Sequence, residues 1–321
     1  MRMTLCPQNF ALINTIFLSD FKKGNNTIKI DQIPDSIDTK SIILNFLKCD
    51  DISVKNYFLI DNENKKELIL EITSLSDHKN CEVDFSYKTY KIEFETFYNF
   101  LYDPSENNIL MNGWVSIKNN CNFQYNNVDL QLVYNHQNQN IIFSLDGKYN
   151  ISSDNNPIIS FISLKIPVKK KILAKYDSNI AKECIFFINN EDNNLGNILI
   201  PGATSVHFKD INGHVHLLGQ DNFSLYLPDE EIEFEIGDIE DLIKIERDID
   251  DNLFTNKFIN LTDNILDIEA EFNTFGGQIV ESNAVFEVDE NYIGLLKMKL
   301  MPKGENIVKY RIEPREIDMP I

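Results

Sequence analysis

The sequence predicts an all-β protein of two antiparallel β-sandwich domains, one over residues 1–165 and one over residues 166–321. Three observations carry this expectation. First, Tyr90, Ile92, Phe94, Thr96, Tyr98, Phe100 and Tyr102 recur at every second position, with Lys91, Glu93, Glu95 and Asn99 between them. Such alternation is how a strand with one buried face reads. Second, Gly, Pro and Asn interrupt similar runs at intervals of about eight to twelve residues, the spacing of sandwiches and barrels. Third, no βαβ rhythm and no internal repeat is present.

Taken in order, 9–20 is the first expected strand. Met1-Arg2-Met3 imitates the start of a secretory leader, but Asn9 and Asn14 break the apolar run and no small-residue cleavage site follows. Residues 27–30 alternate and stop at Gln32-Ile33-Pro34-Asp35, 41–47 and 52–60 are apolar runs of strand length, and 67–73 and 81–87 alternate again. The aromatic run through 90–102 is read as one long strand. It ends at Asp103-Pro104-Ser105, because Pro fixes φ and has no N–H for a ladder. Residues 109–117, with the single Trp at 114, and 128–134 complete an antiparallel sheet with an aromatic core. The run 141–145 before Asp146-Gly147 is half of a hairpin, and 157–166 is a further apolar run.

Composition changes at Pro167-Val168-Lys169-Lys170-Lys171, the expected domain boundary, although Lys residues guarding a sheet edge would look the same. Beyond it, strands are expected near 184–189, 197–200, 205–209, 214–218, 223–227, 231–236, 243–249, 265–272, 284–288, 295–300 and 307–312. The segment 239–249 is the most helix-like, yet Ile243, Ile245 and Ile249 fit a period of two and favour a strand. Asn pairs such as Asn25-Asn26, Asn126-Asn127 and Asn193-Asn194 fall where turns are expected, since Asn tolerates the left-handed conformation.

With 321 residues and 43% hydrophobic content the chain can bury a large core. Its 30 basic and 50 acidic residues give a net charge of −20, which repels phosphate and argues against nucleic acid and anionic lipid as partners. It leaves solubility, a protein partner of basic character, or cation binding. No run is long and apolar enough to span a bilayer. Cys6, Cys49, Cys81, Cys121 and Cys184 include no CxxC pair, which excludes a zinc ribbon or a dithiol redox motif. Buried reduced thiols are the reading, with a single disulfide left open. The sequence as given reads as cytoplasmic; the alternative is the periplasm or cell envelope, if a leader is missing.

No stretch names a reaction: GxSxG, HExxH, the P-loop and GxGxxG are all absent. The candidate metal site is His207, His214 and His216, around the hairpin signal Asn212-Gly213. A two-residue type I′ turn there pairs Phe208 with Leu217 and points all three imidazoles outward. A slip of one residue would set Phe208 against His216 instead. Three imidazoles on one face, with Asp210 or Asp221 near, suit a divalent metal such as zinc or copper. The plainer reading is a solvent-facing strand that carries His, with no cofactor. Glu231, Glu233 and Glu235 alternate with Ile232, Phe234 and Ile236 and read as the wet face of a strand, whose like charges a cation or basic partner would relieve. Asp248, Asp250 and Asp251 read as a solvated turn. The aromatic strand is core rather than a sugar-stacking platform.

Several stretches carry a resemblance. They are Asn9-Phe10-Ala11-Leu12-Ile13 with Ile33-Pro34 and Ser41; Asn112-Gly113-Trp114-Val115 with Ile117, Asn119, Tyr125, Val128, Leu130 and Leu132-Val133; Leu195-Gly196 and Ile200-Pro201-Gly202 with Asp210, Gly213, Gly219, Asp221, Pro228, Glu230, Gly237, Asp241 and Arg247; and Tyr310. In order and spacing the chain resembles an uncharacterised bacterial all-β domain family, similar to the C-terminal domain of mucoidy-inhibitor-like proteins. The resemblance implies an all-β fold with no assigned activity and no catalytic residues. Members often carry an export signal and longer ones a coiled coil, and this sequence departs from both. The function expected is a non-catalytic binding or scaffolding protein; the alternative is a carbohydrate-active or metal-dependent hydrolase.

Overall fold

β-Branched and aromatic residues standing two apart make this chain fold as strands. In Asn108–Asn119, for example, Ile109, Met111, Val115 and Ile117 are buried while Asn112, Trp114 and Ser116 lie on the other face. The computed structural model describes residues 1–62, 65–136, 139–289 and 292–313, and arranges their strands in five sheets. The all-β class is as expected. The one helical element among the described residues is a 3₁₀ turn, Glu191–Asn193.

From edge to edge, the seven-stranded sheet runs Gln139–Ser144, Tyr125–His136, Arg2–Cys6, Phe10–Phe21, His78–Tyr90 and Ile37–Leu47, with Tyr149–Ile151 also paired to Tyr125–His136. The five-stranded sheet runs Ile158–Pro167, Asn108–Asn119, Ile92–Asp103, Gly202–Lys209 and Val215–Phe223. The six-stranded sheet runs Glu231–Asp238, Lys182–Ile188, Lys169–Ala174, Leu266–Asn273, Ile293–Leu300 and Glu287–Val288. A four-stranded sheet (Ile243–Asp250, Leu253–Asn260, Glu305–Glu313, Gln278–Ser282) and a three-stranded one (Gly24–Ile33, Lys65–Ser74, Ile52–Asn62) complete the set.

Three clusters of apolar side chains hold the sheets together. In the first, Met3, Leu5, Ile13 and Phe85 of the seven-stranded sheet meet Leu68, Leu70 and Ile72 of the three-stranded sheet and Ile92, Val115 and Ile117 of the five-stranded one. In the second, Tyr98, Phe100 and Met111 of the same five-stranded face meet Ile185, Phe187 and Ile232 of the six-stranded sheet. In the third, Ile268, Ala270 and Phe272 meet Ile243, Phe258 and Tyr310 of the four-stranded sheet. A fully buried Phe or Ile in such a cluster contributes about 1.5–3 kcal/mol.

The structure corrects several expectations. Pairing is not purely antiparallel: Arg2–Cys6 with Tyr125–His136, Lys169–Ala174 with Leu266–Asn273, and Gly202–Lys209 with Ile92–Asp103 are parallel. Side-chain alternation carries no information on strand direction, and segments so far apart in sequence can meet either way. The first strand is Arg2–Cys6, ahead of the expected one. The run 90–102 is not one strand. Lys91 takes the left-handed conformation (φ 64°), so His78–Tyr90 ends in one sheet and Ile92–Asp103 begins in another. Tyr90 therefore lies exposed on the outer face, where Lys88 Nζ sits 4.5 Å from its ring and 4.0 Å from that of Phe10. Residues 197–200 and 223–227 form no strands of their own; Leu199 and Tyr226 make an isolated bridge, and Phe223 closes the preceding strand. The Lys triplet guards no edge, because Lys169–Ala174 lies inside the six-stranded sheet. Residues 165 and 166 both fall within Ile158–Pro167, and the five-stranded sheet draws strands from either side of them.

Candidate functional site: a cleft between two open sheet edges

The histidine hairpin closes differently from the expected two-residue turn. Asp210 N–H donates to the His214 carbonyl at 2.9 Å, Gly213 N–H to the Asp210 carbonyl at 2.9 Å, and Gly213 is left-handed (φ 85°). Asp210 Oδ1 also accepts from the backbone N–H of Asn212 and of His214, at 2.9 and 2.8 Å. A three-residue loop capped by this Asp carboxylate shifts the register by one. Phe208 consequently faces His216, and His207 faces Leu217. The expectation of one shared face is thus corrected: His207 points away from His214 and His216. The His216 ring stacks on Phe208 with centroids 5.0 Å apart, and its Nε2 lies 3.1 Å from Asp210 Oδ2. Hydrogen bonds from His216 and the His214 backbone hold the Asp210 carboxyl below its usual range. Among the described residues, no group of three or more His, Cys, Asp or Glu is arranged to hold a metal ion.

The acidic strand carries its own counter-ion. Lys171 Nζ lies 2.6, 2.5 and 3.1 Å from carboxylate oxygens of Glu231, Glu233 and Glu269. Burial opposes the Lys171 charge, but these carboxylates outweigh it and hold its pKa above the ordinary value. Lys175 pairs with Glu235. Glu271 beside them is pushed up by burial, which Lys175 only partly offsets. A concavity of about 460 Å³ opens between Val215–Phe223 and Glu231–Asp238, lined in part by Lys175, Asp221, Tyr226, Glu233 and Glu235. Asp250 and Leu253 flank a turn in which Asp251 and Asn252 both have positive φ (47° and 64°), the geometry of a tight hairpin. Tyr98, Phe100 and Tyr102 are buried, as core.

A larger cleft, about 680 Å³, separates Gln139–Ser144 from Ile158–Pro167. Each is the edge strand of its sheet. Leu145 N–H donates to the Leu130 carbonyl at 3.0 Å, so by alternation Phe143 turns its backbone groups inward while those of Ile142 and Ser144 face the open side. Val168 N–H donates to the Asn107 carbonyl at 3.1 Å, which by the same parity leaves Ser163 and Lys165 on the open edge of the other strand. Of the residues lining the cleft, Asp146 alone is charged.

Its floor is aromatic. The rings of Phe143 and Phe161 meet edge-on at 5.5 Å. The ladder of Ile158–Pro167 with Asn108–Asn119 shifts between Ser160 and Ile162, leaving Phe161 as the extra, bulged residue. Such bulges re-aim a side chain. The ring is seated over Gly113, where a Cβ would come within 2.9 Å of Phe161 Cζ and 3.1 Å of Tyr98 Cε1. The third wall, Asn197 and Ile198, is held by Asn189. This fully buried amide donates to the carbonyls of Asn197 and Leu227, both at 2.8 Å, and accepts from Gly196 N–H at 3.1 Å. Reading the sequence missed this site. The signals were an Asn closing the apolar run 184–188 and a Gly facing a Phe from another strand; neither shows in hydropathy.

No family model matches the chain, and no curated protein matches it. No helix among the described residues is long and apolar enough to cross a membrane.

Proposed function

We propose that the protein is a non-catalytic binding or scaffolding module that takes up an extended segment of a partner protein in the cleft between Gln139–Ser144 and Ile158–Pro167. The observation that carries this reading is the pair of open edges facing one nearly uncharged cleft. Unpaired backbone N–H and C=O groups on a sheet edge are a template for a further strand. The partner segment would place apolar residues at alternate positions toward Phe143 and Phe161, and a net charge of −20 favours one that is neutral or basic. We read the supporting sheets as two β-sandwich units. In support, the first core is drawn from residues before 166 save Ile200, the third from residues after it, and the second joins the two. Glu233 and Glu235 are each engaged by a lysine, which weighs against these two as the acid pair of a hydrolase.

The test is capture from native host cells with a photo-crosslinker at Ile142, comparing the wild type with Ser163→Pro. Proline at 163 removes an edge N–H and the side-chain hydrogen bond to Asn112 Oδ1 while leaving the backbone ladder intact. The expected result is a partner crosslinked through an extended segment by the wild type and lost with Ser163→Pro, whose fold persists with a stability loss of about 0.5–1 kcal/mol. Equal capture by both, or crosslinks that map away from the cleft, overturns the reading.

A further inference from the structure

Strands Ile52–Asn62 and Lys65–Ser74 leave the seven-stranded sheet after Ile37–Leu47 and return to it in His78–Tyr90. The neck of this excursion is unusually well fastened. Leu75 N–H donates to the Asp51 carbonyl at 3.2 Å. The Asp51 carboxylate accepts from Ser76 Oγ at 2.6 Å and lies 2.5 Å from His78 Nε2, which together hold its pKa below the ordinary value. Two thiols stand at the same neck. The pairing of Phe46 with Val83 and Leu47 with Glu82 leads directly to Lys48 and Cys81. Lys48 is left-handed (φ 63°), and Cys49 N–H donates back to the Phe46 carbonyl at 3.3 Å. This turn seats Cys49, next to Lys48, in the same buried apolar cluster as Cys81. Both are free and buried, at 7% and 3% exposure.

We propose that Cys49 and Cys81 are a dithiol that forms a reversible disulfide, locking the neck of the 52–74 hairpin to the seven-stranded sheet. The oxidant is a small-molecule disulfide such as oxidised glutathione. Cys49 thiolate attacks one of its sulfurs, the S–S bond breaks and one small thiolate leaves; Cys81 then displaces the second at the mixed disulfide. Two protein thiols and one small disulfide become one protein disulfide and two small thiols, the two protons passing to the leaving thiolates. Cys49 is the attacking group, because it is the more exposed of the two thiols, at 7% against 3%, while burial and the neighbouring Cys49 push the Cys81 thiol up to about 12. The remaining thiols are engaged elsewhere: Cys121 Sγ donates to Asn119 Oδ1 at 2.6 Å, while Cys6 and Cys184 are buried on other strands.

The full-length wild type is equilibrated in a glutathione redox series, trapped with a maleimide, digested and mapped by mass spectrometry. The expected result is the loss of two of the five free thiols, a crosslinked 49–81 peptide pair, and slower hydrogen exchange through 52–74 in the oxidised form. Cys49→Ser and Cys81→Ser each abolish the pair, and dithiothreitol restores both thiols. Retention of both thiols across the series, separate glutathione adducts on the two residues, or either pairing with another cysteine overturns the proposal.

Discussion

Two concavities follow opposite rules. The one between Val215–Phe223 and Glu231–Asp238 is crowded with charge, and that charge is answered from within: Lys171 meets three glutamates and Lys175 a fourth. The one between Gln139–Ser144 and Ile158–Pro167 has almost no charge, yet its walls are strand edges whose backbone groups have no second neighbour. In an acidic chain the eye goes to the acidic groove. The comparison teaches that spare binding capacity lies where hydrogen-bonding groups are left over, not where charges are most numerous.

The sharpest way to break this contrast is Lys171→Met. With Lys171 gone, Glu231, Glu233 and Glu269 repel one another, partly shielded by water, and a loss of about 2–3 kcal/mol is expected in urea unfolding at neutral pH. The pH dependence gives the sign. Burial pushes Glu269 up, but Lys297 and Lys171 hold its folded pKa below the ordinary value. Its stabilisation is present above the unfolded pKa of about 4.3 and is lost as pH falls through the folded value. The gap between wild type and variant therefore narrows in acid; a gap that widens there contradicts the assignment.

Gly113→Ala probes the other concavity. The new methyl meets Phe161 and Tyr98, so an overpacking cost of about 1–2 kcal/mol is expected, with Phe161 pushed into the cleft and partner capture reduced. Unchanged stability with unchanged capture would show that Gly113 does not seat the floor. Asp103→Asn is milder. The Ser105 hydroxyl and Lys209 lower the Asp103 pKa to about 2, so its contribution is present above the unfolded value of about 3.9 and disappears as pH falls toward 2. The variant should lose the part of the wild-type acid-unfolding slope that falls in that window. Smallest of all, Ser163→Pro gives up the hydrogen bond from Ser163 Oγ to Asn112 Oδ1 and should cost about 0.5–1 kcal/mol while abolishing capture. That pairing of a small stability cost with a lost function separates the open cleft from the self-satisfied groove.

Much of the fold was legible because burial in a strand leaves a period of two. Leu68, Leu70 and Ile72, and Ile232 against Glu231 and Glu233, sit on the faces their alternation demands. What escaped was where alternation says nothing. It runs unbroken through Tyr90, Lys91 and Ile92, although the left-handed turn at Lys91 sends the two aromatic halves into different sheets. It cannot choose between two registers at the histidine hairpin, where the Asp210 carboxylate decided. The cleft was invisible for a related reason: it is made of edges, and edges are defined by strands that are absent. Some punctuating residues do gain physical roles. Gly113 makes room for Phe161, and Gly202 lets its backbone pass close to the Thr96 carbonyl, where any Cβ would collide.

The parallel pairing of Gly202–Lys209 with Ile92–Asp103 has a consequence in time. The ion pair that closes it joins Asp103 to Lys209 across 106 residues. At about 5–20 residues per second on the ribosome, Ile92–Asp103 has been made for about 5–20 s before its neighbour exists. Through that interval the strand that carries Tyr98 and Phe100 is an unfinished edge with an aromatic face, open to mispairing.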